Sequence, residues 1–568
     1  MTEPATADWR RRLTAGVVAF ILLWTNGAAG AATALDLSQF KSPESAQRAT
    51  LPLASHIGPT TGFVGVRAEF DPQGKLVVAA LAPDSPATAA GVRAGDLLVA
   101  IDGRPVPTPE AFRNLIRTSR AGQRLRLSLL RQELAVEVTV SCAPLASMGR
   151  PATRPADPPA PSGGLSAAPA GDSDELLRRG GLATRQLPLI RKDVLRIAVI
   201  GIDFADVHHN PQATLGDWGE AFFSHDTYRS KNATGQNVYG SVNDYYQEVS
   251  AGAMRVDGRV FDWVEVSKKR MDYYTPPPPG GPASRPALRS GGATYDVPLL
   301  REVLEKFLVR EGPGVLNGFD GIAFLYAGLP AVRQPGSVYW PHTSGLIFRN
   351  RPMRYFIAYE GGRRMNNISV FCHETGHILG LPDLYASRSA WGVPGADPVG
   401  LGAWCLMSIQ VGNGRPQHMS AWCKERLGWI KPAVVDPSVR QHLILSPIEN
   451  SRTECFKVPL RPDGAEYLLL ENRRHIGFDA SVPAEGLLIW HVVGNRPILV
   501  EAHGLANTRA PWLNLRNIPY PTPRNDAYTP FSRPSSTTSG EGAIPLYLTD
   551  IRRLDDGRIA FSIGYGFD

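Results

Sequence analysis

Cysteine is scarce in this chain, and its scarcity excludes one class of protein. Five cysteines in 568 residues are too few for a scaffold that depends on disulfides. Their odd number leaves at least one thiol unpaired, and the pairing cannot be deduced from the sequence. If export permits a bridge, Cys405 and Cys423 are the first pair to test. Cys372 is predicted to be a small buried apolar residue.

Blocks of like charge are also lacking, although the net charge is +7. Because the arginines are spread along the chain, no basic stripe for nucleic acid is evident, and no nucleic-acid partner is predicted. Dense loops of alternating carboxylates are missing as well. Asp203, Asp206 and Asp397 are therefore predicted to form turns. A Ca2+ site at these residues is the alternative.

No apolar run is long enough to be a comfortable membrane span. The strongest candidate, residues 13–24, follows three arginines and leads through small residues to an Ala-Thr-Ala cleavage site at 32–34. This pattern predicts a bacterial export signal over residues 1–34, and a secreted, periplasmic or cell-envelope protein without a membrane span after cleavage. An uncleaved N-terminal anchor and a twin-arginine signal are the alternatives.

One short segment of the chain carries the residues of a metal site. His373 and His377 are four residues apart, so on a helix they lie on one face and can bind one metal ion. Glu374 lies beside them, where it can accept a proton from a water activated by the metal. Gly380 suits the left-handed conformation that ends a helix, and Asp383 then follows as an oxygen ligand. Two histidines, one carboxylate and an open position predict a catalytic Zn2+ site.

Three side chains downstream bear on this interpretation. Met407 lies at a suitable distance for the turn of metzincin-type peptidases, whose methionine forms an apolar floor beneath the metal. Tyr385 is either an oxyanion or substrate contact or an aromatic ring packed on the helix. His418 is predicted to be a structural histidine rather than a further ligand, because the ligand set is already complete.

Residues 55–142 form a compact alternating unit. It opens at residues 62–66, continues through a short helix and a Gly-Asp turn at 85–103, and contains an amphipathic helix at 109–119. These features resemble a PDZ domain of the bacterial protease-associated type. The resemblance implies that peptides bind by their C-terminal carboxylate and add as a strand. The carboxylate-binding loop that it implies consists of Phe63, Val64, Gly65 and Val66.

Composition divides the remainder of the chain into three parts. Residues 143–185 are rich in Ala, Pro, Ser and Gly and lack apolar periodicity, which predicts a solvated linker. Apolar runs at 194–202 and 321–327 predict buried strands of a metallopeptidase domain over residues 190–435. Residues 436–568 are strand-rich and separated by Asn, Asp, Gly and Pro, which predicts an antiparallel β-sandwich.

A further resemblance rests on residues 240–250, 373–385, 400–407, 416–429, 466–473 and 486–491. These segments resemble the immune inhibitor A family of secreted bacterial metallopeptidases, from about residue 190 to 566. The resemblance implies an α/β (α+β) zincin-type lobe with zinc ligands His373, His377 and Asp383. It also implies that Glu374 is the general base. An N-terminal PDZ unit is not the usual arrangement in that family.

The sequence thus predicts an exported zinc endopeptidase that acts on protein or peptide substrates, with a PDZ domain that recruits or gates them. The alternative is a non-catalytic or latent envelope adaptor that binds peptides through the PDZ domain. The intact Glu374 favours the enzyme, because a structural relic need not keep the base.

Overall fold

A computed structural model describes residues 35–51, 62–82, 85–119, 122–132, 134–144, 187–273, 296–330, 339–385, 401–410, 414–461, 464–494, 496–504, 515–536 and 546–564. The predicted export signal, nearly all of the predicted linker and Asp397 lie outside these residues. Within them, no helix is both long and apolar enough to cross a bilayer.

The chain divides into two compact units, Met1–Phe40 and Lys41–Asp568. The described part of the first unit contains a 3₁₀ turn, Leu37–Gln39, whose N-terminus is capped by the Asp36 side chain. Strand β1 (Phe40–Lys41) lies at the boundary.

The second unit begins with an arm that packs on the C-terminal part of the chain. Ala46 is buried in the hydrophobic core there. The N–H of Ala49 donates to the carbonyl of Val434 at 2.9 Å, and the carbonyl of Gln47 accepts from the N–H of Asp436 at 3.1 Å. The PDZ unit is therefore preceded by a segment that is held by the C-terminal part of the chain.

The PDZ unit is a five-strand path covered by two helices. Its elements are β2 (Gly62–Phe63), β3 (Val66–Phe70), β4 (Leu76–Leu81), α1 (Pro86–Ala89), β5 (Leu97–Ile101), β6 (Arg104–Pro105), α2 (Pro109–Thr118), β7 (Arg124–Arg131), β8 (Leu134–Ser141) and β9 (Ala143–Pro144). The strand order is β3-β4-β5-β7-β8, with β6 paired to β5. Because β9 pairs with β2, the folded unit extends to Pro144, two residues beyond the predicted boundary.

The lobe predicted as the metallopeptidase domain is built on a mainly parallel sheet. Its elements are β10 (Val194–Asp203), α3 (Leu215–Phe223), α4 (Val242–Val249), β11 (Arg255–Glu265), α5 (Asp296–Glu311), β12 (Gly321–Tyr326), β13 (His342–Phe348), β14 (Arg351–Tyr359), α6 (Ile368–Ile378) and α7 (Ala421–Leu427). The order is β11-β10-β12-β14-β13, and β13 alone among them is antiparallel to its neighbour. The continuous apolar runs predicted as strands are the two central strands, as expected for a sheet buried on both faces.

Helix α6 lies on one face of this sheet. Phe371 of the helix is fully buried, and its ring stacks on that of Phe222 with centroids 4.9 Å apart. It also shares a hydrophobic core with Val199, Leu325 and Phe356 of three strands. Packing of one helix face against the sheet leaves the opposite face for the metal site.

The C-terminal part contains two sheets around one core. Its strands are β15 (Ala433–Val434), β16 (Gln441–Leu445), β17 (Phe456–Pro459), β18 (Glu466–Arg473), β19 (Gly486–Val493), β20 (Arg496–Val500), β21 (Tyr547–Arg553) and β22 (Ile559–Gly564). One sheet has the order β15-β17-β18-β19-β20, and the other includes β16-β22-β21. Strand β15 pairs with β17 in parallel, which departs from the purely antiparallel prediction.

Strand β18 is buried on both faces, which explains the apolar run at residues 467–470. Leu468 and Leu470 belong to the core between the two C-terminal sheets. Leu469, which points the opposite way in a strand, belongs to the core of the lobe that contains β10 and β12. The C-terminal part therefore shares a core with the lobe that carries α6.

Candidate metal centre

Helix α6 begins and ends where the sequence predicts. Asn367 caps its N-terminus by accepting a hydrogen bond from the N–H of Ser369 at 3.0 Å. The helix ends at Ile378, and Gly380 follows with φ +94°. A Cβ at Gly380 would lie 2.7 Å from the carbonyl oxygen of Pro188, so both the backbone conformation and the close approach require glycine. The chain then turns toward Asp383.

Three potential ligand atoms converge at the end of this turn. The Nε2 atoms of His373 and His377 are 3.1 Å apart. Oδ1 of Asp383 lies 3.3 Å from the first and 3.0 Å from the second. Both histidines are buried, at 8% and 3% exposed, so the three atoms face one another away from bulk water.

Backbone carbonyls fix the tautomer of each histidine. Nδ1 of His373 lies 2.8 Å from the carbonyl oxygen of Leu406, and Nδ1 of His377 lies 2.7 Å from that of Leu381. A carbonyl oxygen can only accept, so each Nδ1 carries the hydrogen and each Nε2 presents a lone pair. The site therefore directs two nitrogen lone pairs and a carboxylate oxygen at one point.

This donor set fits a zinc ion. Oδ1 of Asp383 is buried and finds no conventional hydrogen-bond partner among the described residues. Burial lowers the pKa of His377, but the Asp383 carboxylate outweighs it and raises that pKa to about 9, which shows how strongly the site favours a positive charge. Two imidazole nitrogens and one carboxylate oxygen are the ligands of many catalytic zinc sites.

Glu374 lies next to this group without joining it. Its carbonyl oxygen and its Oε2 lie 3.0 Å and 2.8 Å from the hydroxyl of Thr343. Thr343 belongs to β13, the edge strand of the sheet, and is 3% exposed. The hydroxyl can donate its one hydrogen to the carboxylate, so it orients Glu374 beside the three ligand atoms.

The segment around Met407 supports both sides of the metal site. Leu406 provides the carbonyl behind His373, while the carbonyl of Met407 accepts the N–H of Leu384 at 2.7 Å, next to Asp383. A Cβ on Gly376 would lie 2.5 Å from Sδ of Met407. The methionine thus packs directly against the helix between the two histidines.

Tyr385 and His418 occupy different environments. The ring of Tyr385 is stacked near that of His373, with centroids 6.4 Å apart and an interplanar angle of 18°, and the residue is 47% exposed. His418 is fully buried, and its Nε2 lies 2.8 Å from Oε1 of Glu248. His418 does not belong to the group formed by His373, His377 and Asp383. Its position and its contact with Glu248 favour the structural interpretation.

The aspartates considered for Ca2+ have other partners. Asp203 accepts the N–H of His209 at 2.8 Å, and its second oxygen lies 2.7 Å from the His209 ring. Asp206 accepts the N–H of Arg270 at 2.8 Å. Asp397 lies outside the described residues. In the described part of the chain, these carboxylates form no group of three ligands.

A second close group, formed by His225, Asp226 and Asp244, is built differently. The side chains of His225 and Asp226 are 61% and 59% exposed. Asp244 caps α4 by accepting the N–H of Ser241 at 2.9 Å, and Asp226 pairs with Arg229. Because Ser241 and Arg229 already donate to the two carboxylates, this group is not arranged as a metal site.

The loop predicted to bind peptide carboxylates lies between β2 and β3. Val64 and Gly65 are buried in it, whereas Phe63 and Val66 are partly exposed. Gly65 has φ +77°, and a Cβ there would lie 2.2 Å from Cβ of Ser85. Since β3 is an edge strand that α2 contacts, a peptide could add beside it.

Some residues of the site carry no recognisable sequence signal. Thr343 lies about 30 residues before the histidines in an edge strand without a motif. Leu406 acts through its carbonyl, which any residue provides. Arg473 donates to the carbonyl of Trp404, and Asp479 accepts the N–H of His418. Both residues belong to a different predicted domain, and only the folded chain brings them near.

Two family models match this chain. Residues 77–131 match the PDZ domain, and residues 193–284 match the immune inhibitor A peptidase M6 catalytic domain. The chain therefore carries a PDZ domain and an immune inhibitor A catalytic domain, and the second match supports a peptidase. That match ends before α6, so it does not include the metal-site residues.

Relatives and solved structures match shorter parts. The magnetosome formation protease MamE of Paramagnetospirillum magneticum is 32% identical over 96 residues, 17% of this chain and 12% of the relative. That of Magnetospirillum gryphiswaldense is 33% identical over 84 residues, 15% and 11%. The chain thus spans a small fraction of the length of these curated relatives.

Among solved structures, the HtrA-type protease AlgW with a decapeptide is similar, at 24% identity over 15% of this chain and 29% of that chain, with a TM-score of 0.14. The HtrA3 PDZ domain bound to a phage-derived ligand is 22% identical over 15% of this chain and 86% of that chain, also at 0.14. Likeness at these TM-scores carries no argument about function.

Proposed function

We propose that this chain, which carries a PDZ domain and an immune inhibitor A catalytic domain, is a zinc-dependent endopeptidase. The observation that carries the proposal is the convergence of two fixed imidazole lone pairs and the Asp383 carboxylate within 3.3 Å of one another. Glu374 lies beside them and is held by Thr343. A structural zinc site would close the fourth position with another protein ligand, and the described residues supply three.

His373, His377 and Asp383 would hold the zinc ion, which when bound polarises a peptide carbonyl and makes a water molecule a better nucleophile. Glu374 accepts the proton of that water at its carboxylate and delivers it to the leaving nitrogen. Thr343 keeps the carboxylate in place during both transfers. Burial of both histidines limits competing solvent at the ligand atoms.

Protein substrates are the proposed partners, and two edge strands support this choice. Strand β13 carries Thr343 and lies at the edge of the catalytic sheet, so an extended peptide can pair beside Glu374. Strand β3 of the PDZ domain is also an edge and follows the loop at Gly65. An extended chain adds to such edges by main-chain hydrogen bonds. We propose that the PDZ domain recruits or gates substrates by their C-termini.

The test is cleavage of unfolded casein by the purified full chain beside the Glu374→Gln variant. Cleavage by the parent, loss of cleavage with a zinc chelator and a decrease of 100-fold or more in the variant are expected. Zinc content should be equal in both. A folded parent that contains zinc but leaves casein uncut would favour the peptide-binding adaptor. Equal cleavage by parent and variant would contradict the role of Glu374.

A further inference from the structure

We infer that the C-terminal part of the chain completes the proposed zinc centre, with Arg473 and Asp479 as positioning residues for the ligand His373. This inference rests on the proposed function. Its starting point is the carbonyl of Leu406, which fixes the His373 ring by accepting Nδ1–H at 2.8 Å. This carbonyl can orient the ring only if the peptide segment that contains Leu406 is itself fixed in position.

A continuous path of hydrogen bonds holds that segment. The N–H of Leu406 donates to the carbonyl of His418 at 3.2 Å. The N–H of His418 donates in turn to Oδ1 of Asp479 at 2.8 Å. Three hydrogen bonds therefore connect the zinc ligand to an aspartate of the C-terminal part, which is itself fully buried.

Arg473 secures both ends of this arrangement. Its Nε lies 2.6 Å from Oδ2 of Asp479, and its Nη1 donates to the carbonyl of Trp404 at 3.2 Å. Trp404 lies two residues before Leu406, so one guanidinium holds the Met407 segment directly and also through Asp479. The Arg473 side chain is 0% exposed, and a planar guanidinium with several donors suits such simultaneous contacts.

The two residues come from elements outside the lobe that carries the ligands. Arg473 ends strand β18, and Asp479 lies in a 3₁₀ turn, Gly477–Ser481. The net contribution of ion pairs buried this deeply to stability is small, because desolvation of the charges offsets their attraction. We assign their contribution here to fixing the Leu406 carbonyl.

Glu471 provides a matched control within the same charge cluster. It is fully buried, and its Oε1 lies 3.3 Å from Nη1 of Arg473 and accepts Nε1–H of Trp490 at 2.7 Å. Neither contact is with the Met407 segment. Neutralising Glu471 therefore disturbs the charge balance around Arg473 while every hydrogen bond from His373 through Leu406 and His418 to Asp479 keeps both of its partners.

The experiment compares the full-length parent with Asp479→Asn and Glu471→Gln. An asparagine offers one oxygen and one NH2 group, so either the His418 N–H or Arg473 must face another donor. Zinc affinity is measured by competition with a chromophoric chelator, the geometry by the visible spectrum of the cobalt-substituted protein, and folding by thermal unfolding. Asp479→Glu, which keeps the charge but changes its position, is the second variant if Asp479→Asn does not fold.

The expected result is zinc binding about tenfold weaker in Asp479→Asn or Asp479→Glu, with an altered cobalt spectrum. Glu471→Gln is expected to lower the unfolding temperature while its zinc affinity and cobalt spectrum match the parent. Equal zinc affinity and identical cobalt spectra in the parent and a folded Asp479 variant would overturn the inference. A parent that binds no zinc would instead refute the proposed function.

Discussion

At the scale of single residues, the proposed metal site depends on hydrogen-bond partners that orient the reactive side chains. Each histidine has its Nδ1–H engaged by a carbonyl, which leaves Nε2 as the only nitrogen able to bind a metal. Glu374 is oriented by one hydroxyl, that of Thr343 at 2.8 Å. The motif supplies the reactive atoms, whereas these partners determine which direction the atoms face.

Substitution of Thr343 by valine is expected to lower kcat about 10- to 100-fold. Valine keeps the shape but removes a hydrogen bond to a charged group, which is worth about 1.5–3 kcal/mol. Since the residue touches Glu374 and not a ligand atom, KM and zinc content should stay unchanged. Steady-state kinetics on a fluorogenic peptide would measure this, with Thr343→Ser as the variant that restores activity. An unchanged kcat in Thr343→Val would remove Thr343 from the mechanism.

The residue types at the metal site were predictable from the sequence, and their supports were not. His373, His377 and Asp383 follow from the periodicity of a helix and the turn after Gly380, which are local properties. Thr343 reaches Glu374 through the pairing of an edge strand that is distant in sequence. Such contacts depend on tertiary register, which no local pattern encodes.

At the scale of elements, the contact between α6 and the Met407 segment organises the site. Gly376 allows the thioether to approach the helix, because a Cβ there would lie 2.5 Å from Sδ. The same segment holds the Asp383 turn through the hydrogen bond from Leu384 to Met407. One short segment therefore supports ligands from both the helix and the turn.

Gly376→Ala is expected to destabilise the protein by about 1–3 kcal/mol through overpacking and to reduce zinc content. Urea unfolding and metal analysis would measure the two effects. Gly219→Ala is the matched control, since Gly219 also lies within a helix and a Cβ there meets nothing within 4 Å. Alanine at that position should be neutral or stabilise by up to about 1 kcal/mol. Equal effects of both substitutions would contradict the packing argument.

Cys405 and Cys423 connect the Met407 segment to α7. Their Sγ atoms are 3.8 Å apart and reduced in this structure, and both residues are fully buried. In an exported protein, exchange with a disulfide-bearing oxidant is expected to join them, with loss of two electrons and two protons from the thiols. A loop of this length implies stabilisation of about 3 kcal/mol.

Peptide mapping of the exported protein, alkylated under denaturing conditions before reduction, checks this pairing. A linked pair of peptides is expected for Cys405 and Cys423, while Cys372 and Cys455 should be alkylated. In a Cys423→Ser variant, Cys405 should become alkylated as well. Full alkylation of Cys405 and Cys423 in the unreduced parent would show that the bridge does not form.

Prediction of elements succeeded where burial produces a clear pattern. The apolar runs at 194–202 and 321–327 are β10 and β12. The arm that ends at residue 51 was not predicted, because its few contacts with the C-terminal part leave no periodic signal. The parallel pairing of β15 with β17 is equally invisible, since strand direction depends on the path of the connecting chain.

At the scale of the whole molecule, the lobe and the C-terminal part share a hydrophobic core and a buried charge cluster. Leu469 packs with the lobe, and Arg473 lies among Glu449, Glu471 and Asp479. Lys424 is buried in the same cluster. Three acidic and two basic buried groups make stability sensitive to protonation. Domain boundaries drawn from composition, as at residue 436, therefore divide a structure that is continuous in space.

Glu449 makes this sensitivity testable. Burial and the nearby Asp479 carboxylate together raise its pKa to about 8, against the opposing effects of Arg473 and Lys424. A folded-state pKa above the ordinary 4.5 stabilises the protein at low pH, and that stabilisation is lost as pH rises toward 8. The free energy of unfolding should therefore fall over this range, by at most about 1.4 kcal/mol per pH unit for one proton.

Urea titrations at pH 5, 6, 7, 8 and 9 would measure this dependence in the parent and in Glu449→Gln. The amide cannot ionise, so the variant should show a flatter profile over the same range. Superimposable profiles would show that Glu449 does not titrate with folding.

Zinc K-edge X-ray absorption on the natively purified chain is the most direct test of the proposed zinc site, because it reports the atoms bound to the metal. One zinc ion per chain is expected, bound to two imidazole nitrogens and to oxygen at about 2.0–2.2 Å, with no zinc-bound sulfur. The His377→Ala variant should lose most of its zinc while remaining folded. A folded parent without zinc, or a spectrum dominated by sulfur ligands, would show that His373, His377 and Asp383 do not form the proposed zinc site.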